Sequence, residues 1–390
     1  LFFIVFLDLL GFGLFLPVLP FIAEGLGATP AMVIWAGGAY SLGQLIAAPV
    51  LGRLSDRYGR RPLLLFSLAG SIASYLLLAA ADSYALLVVA RLLGGITAGN
   101  IAVAFAYVAD ISTPQDRAKS MGFIAAALSL GFILGPAFGG VMGGQDPAAV
   151  RIDLIAGFAS LLSALAFALT WARLPESLKP EARRAHAESG AFDGVHAVLA
   201  SAALLALVLL NLLVTSAGAM MESSFILWSD RILAIGPQQI GLIFGYMAII
   251  VTAVQAFGIG PLRKRFSEAA LMTGAVLLYA AGLFVMSFAA DAFLTLVAIS
   301  LLGVGMGLFN PCAAALVSKT AAASERGAVM GIFQSAGSLA RVLGPAASGP
   351  LFQFAGAQAP FAAGALLTAP AAVIVLLVMR RRRAEPRTAP

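Results

Sequence analysis

The sequence predicts an all-α polytopic membrane protein with twelve transmembrane helices in two pseudo-symmetric six-helix bundles. Composition is the first reason. Of 390 residues, 61% are hydrophobic and only 11% charged, and the mean hydropathy is +0.98. A soluble domain carries about 25% charged residues, so this chain cannot coat a water-facing surface of ordinary size. The second reason is length: apolar stretches recur at about 20 residues, enough to cross a hydrocarbon core as helix. Runs such as Leu204 to Leu213 do not alternate polar and apolar residues, as barrel strands would. The third reason is an internal repeat, described below.

Taken in order, the spans are roughly 1–24, 31–52, 62–81, 83–109, 118–143, 150–172, 198–228, 236–261, 268–289, 292–318, 327–354 and 358–380. The first opens at Leu1 already inside the apolar run, which points to a native amino terminus upstream. It is too long for a signal peptide and lacks a cleavage pattern. The second and third flank the run Gly52-Arg53-Leu54-Ser55-Asp56-Arg57-Tyr58-Gly59-Arg60-Arg61, whose five charges and two glycines make a tight loop between helices. The fourth ends at Asp110, and the fifth carries four glycines and Pro136 in the segment Gly131 to Gly140. After the sixth comes the polar stretch 174–197, the one clear linker. It divides a first half, 1–173, from a second half, 198–383, followed by a short tail, 384–390.

Positive charge assigns the sides. Loops after even-numbered spans, together with the tail, hold 20 of the 24 basic residues. Both termini are therefore expected in the cytoplasm, and the protein in the cell membrane. The net charge of +6 reflects this topology and not a nucleic-acid surface. The run Arg380 to Arg383 reads as an anchor meeting anionic lipid.

The halves repeat. Leu92-Leu93-Gly94 recurs as Leu301-Leu302-Gly303, Asp116-Arg117 as Glu325-Arg326, Met121-Gly122 as Met330-Gly331 and Gly135-Pro136 as Gly344-Pro345, each 209 residues later. Gly52, Leu54, Arg57 and Tyr58 are echoed by Gly260, Leu262, Arg265 and Phe266 at a spacing of 208. Tandem repeats of this kind with a site between them are a transporter architecture. One cysteine and two histidines leave no disulfide framework, no metal cluster and no nucleophile-base set. No cofactor is expected, and neither is ATP, since no phosphate-binding loop signature occurs.

Four motifs then carry a family resemblance. Gly52-x3-Asp56-Arg57-x-Gly59-Arg60-Arg61 resembles the loop signature between helices two and three of the major facilitator superfamily. Leu87-x3-Arg91-x3-Gly95 resembles its helix-four motif, and Gly131-x3-Gly135-Pro136-x2-Gly139-Gly140 the helix-five motif of exporters. Asp8-x2-Gly11 with Pro17-x2-Pro20 resembles its first-helix motif. Within that superfamily the chain is most similar to twelve-helix drug–proton antiporters of the bacterial tetracycline group. The resemblance implies a monomeric exporter of amphipathic drugs in exchange for protons. One departure stands out. Where the tetracycline antiporters carry acids in helices three and nine, this chain reads Ser74-Tyr75 and Leu277-Leu278-Tyr279, so coupling must rest on other carboxylates.

Four ionisable residues lie within predicted spans, where they are costly and usually functional. Asp8 is read as the proton carrier, against a structural hydrogen bond between helices. Glu222 is a second proton site, a contact for a cationic substrate, or a group at the outer interface. Resemblance implies that Arg91 contributes to proton transfer; as a brace it would only tie helices together. Arg341 meets either an anionic substrate group or a carboxylate. Phe12, Tyr40, Asn100, Asn211, Tyr246 and Gln334 are candidates to line the substrate cavity. Gly52, Asp56, Arg57, Gly59, Arg60 and Asp110 form a candidate conformational latch, with Gly52 allowing close helix approach. Resemblance suggests an Arg60–Asp110 pair; a purely topogenic loop would explain the arginines alone. Gly131, Gly135, Pro136, Gly139 and Gly140 read either as a flexing seam against a second-half helix or as plain packing. Besides export, uptake of a small nutrient and a non-transporting receptor are the alternatives.

Overall fold

A computed structural model describes residues 1–113, 116–178, 193–322, 326–368 and 371. Linker residues 179–192 and the tail, with Arg380–Arg383 and 384–390, lie outside the described residues. Helices stand on all twelve predicted spans, and seven are individually long and apolar enough to cross a membrane. Two further spans are broken helices, bent by 41° and 47°. By contact the chain forms two compact units: Leu1–Ser189 with Ser229–Tyr246, and Gly190–Trp228 with Met247–Pro390.

In the first unit, α1 (Phe2–Leu14) and α2 (Leu19–Gly25) make the first span. Pro17 sits at the break between them, where it has no N–H to continue the ladder. α3 (Pro30–Tyr58) starts on a Thr29 cap and stops at Gly59, whose φ of 111° suits glycine. That residue starts α4 (Arg60–Ala79) with no side-chain cap of its own. The fourth span is also broken, into α5 (Tyr84–Thr97) and α6 (Asn100–Ile111). The Thr97 hydroxyl turns back onto the Leu93 and Gly94 carbonyls at 3.0 and 3.3 Å, a bond that bends helices. Ala98 and Gly99 then form a tight turn in which the Gly99 N–H donates to the Thr97 carbonyl at 2.8 Å. α7 (Arg117–Gly143) and α8 (Ile152–Arg173) complete the six.

Ile4, Leu51, Leu64, Leu68, Val103, Tyr107 and Ala166 bury one core, joining α1, α3, α4, α6 and α8. Val5, Leu9, Ala104, Val108, Ile124 and Ala127 bury another between α1, α6 and α7. In membrane helices such approach depends on small residues. The Cβ position of Gly43 is 2.9 Å from the Ile96 nitrogen, and that of Gly95 is 3.0 Å from the Gln44 nitrogen, so α3 and α5 touch backbone to backbone.

The second unit contains α9 (Asp193–Ala200), most of α10 (Ala202–Leu233), the later turns of α11 (Pro237–Ala253), a π-turn at Val254–Gly258, and α12 (Ile259–Arg265). α13 (Glu268–Met286), α14 (Ala292–Thr320), α15 (Arg326–Pro350) with a π-turn at Leu351–Ala355, and a short helix α16 (Ala359–Thr368) follow. Trp228, fully buried, packs its ring against Phe225 and Phe361 at 5.9 and 5.8 Å.

The helix-five glycines divide their contacts. A Cβ on Gly135 would lie 2.7 Å from Gly13 Cα, Gly131 meets Leu9, and Gly139 meets the Leu14 backbone, so this face of α7 packs on α1. Gly140 instead approaches Gly241 of α11, with Cα 2.9 Å from its Cβ position. Pro136, inside α7, presents its carbonyl to Gly241. Close by, the Gln238 N–H donates to the Gly144 carbonyl at 3.0 Å, and Arg231 pairs with Glu24 at 3.5 Å.

Candidate functional site

Asp8 and Phe12 stand one turn apart on α1 and so share a face. Across from them α4 brings Ser71, Ser74 and Tyr75, α3 brings Tyr40, and α5 brings Arg91 and Gly94. The break in the fourth span exposes Ala98 and makes Asn100 the first residue of α6. These ten residues line one cavity of about 20 Å³, room for roughly one or two water molecules.

Each Asp8 oxygen has a donor: Asn100 Nδ2 at 2.8 Å and Ser71 Oγ at 3.4 Å. Because Asn100 starts α6, the carboxylate is tied to the first turn of a helix, the end that favours an anion. Arg91 is 4% exposed. Its guanidinium lies over the rings of Tyr40 and Phe12, 4.9 and 5.7 Å from their centroids. No carboxylate among the described residues is within ion-pair distance of it, and its Nε has no hydrogen-bond partner. The two rings supply on the order of 2 kcal/mol each when desolvated. Burying an ion costs several kcal/mol, a cost of the same size as the rings' contribution. Tyr75 stacks on Phe15 at 5.4 Å and lies within electrostatic reach of both Asp8 and Arg91.

Sequence reasoning placed Asp8, Arg91, Phe12, Tyr40 and Asn100 at the site, and the structure brings all five together. It missed Ser71, Ser74 and Tyr75. The position opposite Asp8 held Ser74-Tyr75 in place of an expected acid, and that was the available signal. The other candidates lie elsewhere. Asn211 is buried, donating to the Phe333 carbonyl at 2.9 Å and accepting from Thr215 at 3.3 Å. Tyr246 and Gln334 are exposed and do not line this cavity. Glu222 and Arg341 are exposed on the second unit within electrostatic reach of each other, and Arg341 also donates to Ser338 at 3.4 Å.

The charged loop forms a separate network in the first unit. Arg60, 4% exposed, binds Asp56 at 2.6 Å, Ser55 at 2.5 Å and Asp110 at 3.1 Å. Glu176 accepts from the Arg60 and Arg61 backbone nitrogens at 2.9 and 3.3 Å, supplying the cap that Gly59 cannot. Ser177 donates to Asp110 at 3.0 Å, and Tyr107 to the Pro175 carbonyl at 2.8 Å. Glu176, Ser177 and Tyr107 were not legible as members. Arg57 is exposed, its guanidinium over the Tyr58 ring. The close approach expected at Gly52 is not seen: nothing among the described residues lies within 4 Å of its Cβ position.

A bundle of membrane helices enclosing a polar cavity, with a carboxylate and a guanidinium set into apolar spans, is the build of a membrane transporter. The chain belongs to the major facilitator superfamily, whose family model matches residues 1–231 and 199–390. The class C tetracycline resistance protein of Escherichia coli is 31% identical over 348 residues, 87% of this chain and 85% of that protein. Multidrug resistance protein 2 of Bacillus subtilis is 30% identical, covering 89% of this chain and 86% of its own. The crystal structure of the human organic anion transporter MFSD10 aligns with a TM-score of 0.74 and 26% identity over 96% of this chain and 97% of that one. The protein is accordingly an integral membrane transporter and not an enzyme.

Proposed function

We propose that this transporter is a secondary active exporter, carrying amphipathic organic compounds out of the cytoplasm in exchange for inward-moving protons. The observation that carries the reading is Asp8, a carboxylate within an apolar helix that lines a water-sized cavity beside Arg91. A group so placed can take a proton from one side and release it to the other. The relatives named for tetracycline and multidrug resistance support the export direction.

In this reading the halves 1–173 and 198–383 rock about the linker 174–197 and expose a site alternately. Both termini lie in the cytoplasm, the membrane is the cell membrane, and one chain suffices. Arg60 with Asp56, Asp110 and Glu176 holds the cytoplasmic end of the first half until the cycle breaks it. Each inward proton contributes about 2.3 kcal/mol per 100 mV of membrane potential, plus the pH term.

Reconstitution into vesicles of both orientations tests this, using a panel of lipophilic cations, neutral drugs and organic anions with internal pH recorded. Substrate and protons should move in opposite directions. Net uptake with protons moving the same way as substrate would overturn it.

A further inference from the structure

We propose that the cavity seats one water molecule on the Tyr75 hydroxyl, and that this water passes the proton between Asp8 and solvent, with Tyr75 as its positioning residue. This role presupposes Asp8 as the proton carrier, as read above, and supplies the route by which its proton arrives and leaves.

The placement follows from two helix faces. Ser71 and Tyr75 stand one turn apart on α4, and Asp8 and Gly11 one turn apart on α1. Ser71 donates to Asp8 at 3.4 Å, and the Tyr75 hydroxyl stands against Gly11, 3.5 Å from its Cβ position. The phenol is thus held about a turn away from the carboxylate, on the wall of the same cavity. It makes no hydrogen bond to the protein among the described residues, although a buried tyrosine hydroxyl ordinarily finds a partner. Arg91 Nε and Asn100 Oδ1 are sealed within the wall and take no part. A polar gap of this kind is bridged by water, and a cavity of about 20 Å³ holds one. Asp8 can receive it, because each carboxylate oxygen accepts twice and Asn100 and Ser71 use one place apiece. Ser74 lines the cavity and donates to the Ala90 carbonyl at 2.8 Å, which leaves its oxygen as a third partner. Charge decides where the proton rests. A hydronium ion would share the cavity with the Arg91 guanidinium and be repelled by it, so the proton rests on Asp8 and the water only carries it. In release, the Asp8 O–H bond breaks, the proton bonds to the water oxygen, and that oxygen gives one of its other protons to solvent. Tyr75 keeps its own proton throughout.

Infrared difference spectra of the full-length chain in lipid, recorded across a pH titration, test this. The Asp8 carboxyl band is identified by its loss in Asp8→Asn. In the parental protein a water O–H band, recognised by its shift in heavy-oxygen water, should appear and disappear with that carboxyl band. Tyr75→Phe keeps the ring against Phe15, so the Asp8 band should persist, which also shows that the variant folds, while the water band is lost. After a pH jump, Asp8 in this variant should lose its proton about three- to tenfold more slowly, the equivalent of one hydrogen bond. A tyrosine that only packs would leave both the band and the rate as they were. Absence of a heavy-oxygen-sensitive band following Asp8 in the parental protein would overturn the water seat whatever the variant does. An unaltered band or rate in Tyr75→Phe would overturn the role of Tyr75. Proton exchange is read separately, from internal pH in vesicles. If Asp8 and its water titrate together but no protons cross, the exchange reading fails while the water seat stands. If protons cross against substrate but no such band exists, the reverse holds.

Discussion

Glu268 and Lys319 are joined at 2.8 Å in the second unit, at the positions 208 and 209 residues beyond Arg60 and Asp110, which are joined at 3.1 Å in the first. The repeat has kept the bond and exchanged the charges. The inversion extends further, since Arg60 also binds Ser55, and Glu268 binds Arg263, the residue 208 places on, both at 2.5 Å. What the two halves share is a tie between the helix that starts at 60 or 268 and the helix that ends near 110 or 319. The sign of each partner was free to change.

This relationship makes a stability prediction. Glu268 is the shared acceptor and its side chain is 10% exposed, whereas Lys319 and Arg263 are 63% and 50% exposed. Removing the acceptor leaves two cations facing each other; removing either cation leaves the other in place. Glu268→Gln should therefore lower the melting temperature in detergent more than Lys319→Gln does. With the lysine so open to solvent, their coupling in a double-mutant cycle should be only about 0.5–1 kcal/mol. A larger loss from Lys319→Gln would contradict the shared-acceptor role.

In the first unit the hub has the opposite sign, and geometry matters more. Arg60 reaches three acceptors on α3 and α6 from one planar head, so lysine should not replace it. Arg60→Lys is expected to raise thiol labelling of a cysteine placed at Leu178, which is buried next to Ser177, because the Asp110–Ser177 contact loosens with the hub. Glu176→Gln should act in the same direction but more weakly, losing about 0.3–1 kcal/mol of charge at the α4 amino terminus. Unchanged labelling in Arg60→Lys would show that Asp110 and Ser177 hold without the arginine.

How much of this was legible follows from contrast. Asp8 and Arg91 stood out because charge in an apolar span is rare, and the charged loop stood out for the same reason. Asn100 and Asn211 looked alike in sequence, as single amides in apolar runs. Only packing separates the one that holds Asp8 from the one that ties two helices through the Phe333 carbonyl. Ser71 was silent because hydroxyls are common in membrane helices, where they usually bond to a carbonyl one turn back, and Ser74-Tyr75 registered only as the place of a missing acid. The break at Ala98-Gly99 was hidden among 41 glycines, most of which do not break a helix. Glu176 read as a linker charge, because nothing in its neighbours reveals that α4 begins without a cap.

Asp8→Asn separates carriage of the proton from support of the fold. The amide keeps an oxygen to accept from Asn100 or Ser71, so helix packing around it should persist with little change in melting temperature. It cannot take up and release a proton near neutral pH. Substrate-driven pH change in vesicles should disappear, while substrate binding to the solubilised protein remains. Persistence of proton flux in this variant would remove Asp8 from the coupling step.

The α1–α7 contact gives the sharpest steric prediction. Gly139 has the Leu14 backbone against its Cβ position, and Gly135 has Gly13 Cα at 2.7 Å. Backbone cannot rotate away as a side chain can, so even one methyl forces the helices apart, at about 1–3 kcal/mol. Gly157 on α8 has nothing within 4 Å of its Cβ position, and alanine there replaces a flexible residue inside a helix, a change worth roughly 0.5–1 kcal/mol of stabilisation. Gly139→Ala and Gly135→Ala should therefore melt lower than the parental protein, and Gly157→Ala level with it or higher. Gly140→Ala meets Gly241 at 2.9 Å, on the other face of α7. If that contact must part during transport, the methyl should change turnover more than its effect on melting would suggest. Measuring both quantities on all four variants separates a static packing role for this helix from a moving one. A Gly140→Ala variant whose turnover falls only in step with its stability would leave packing as the whole account of the motif.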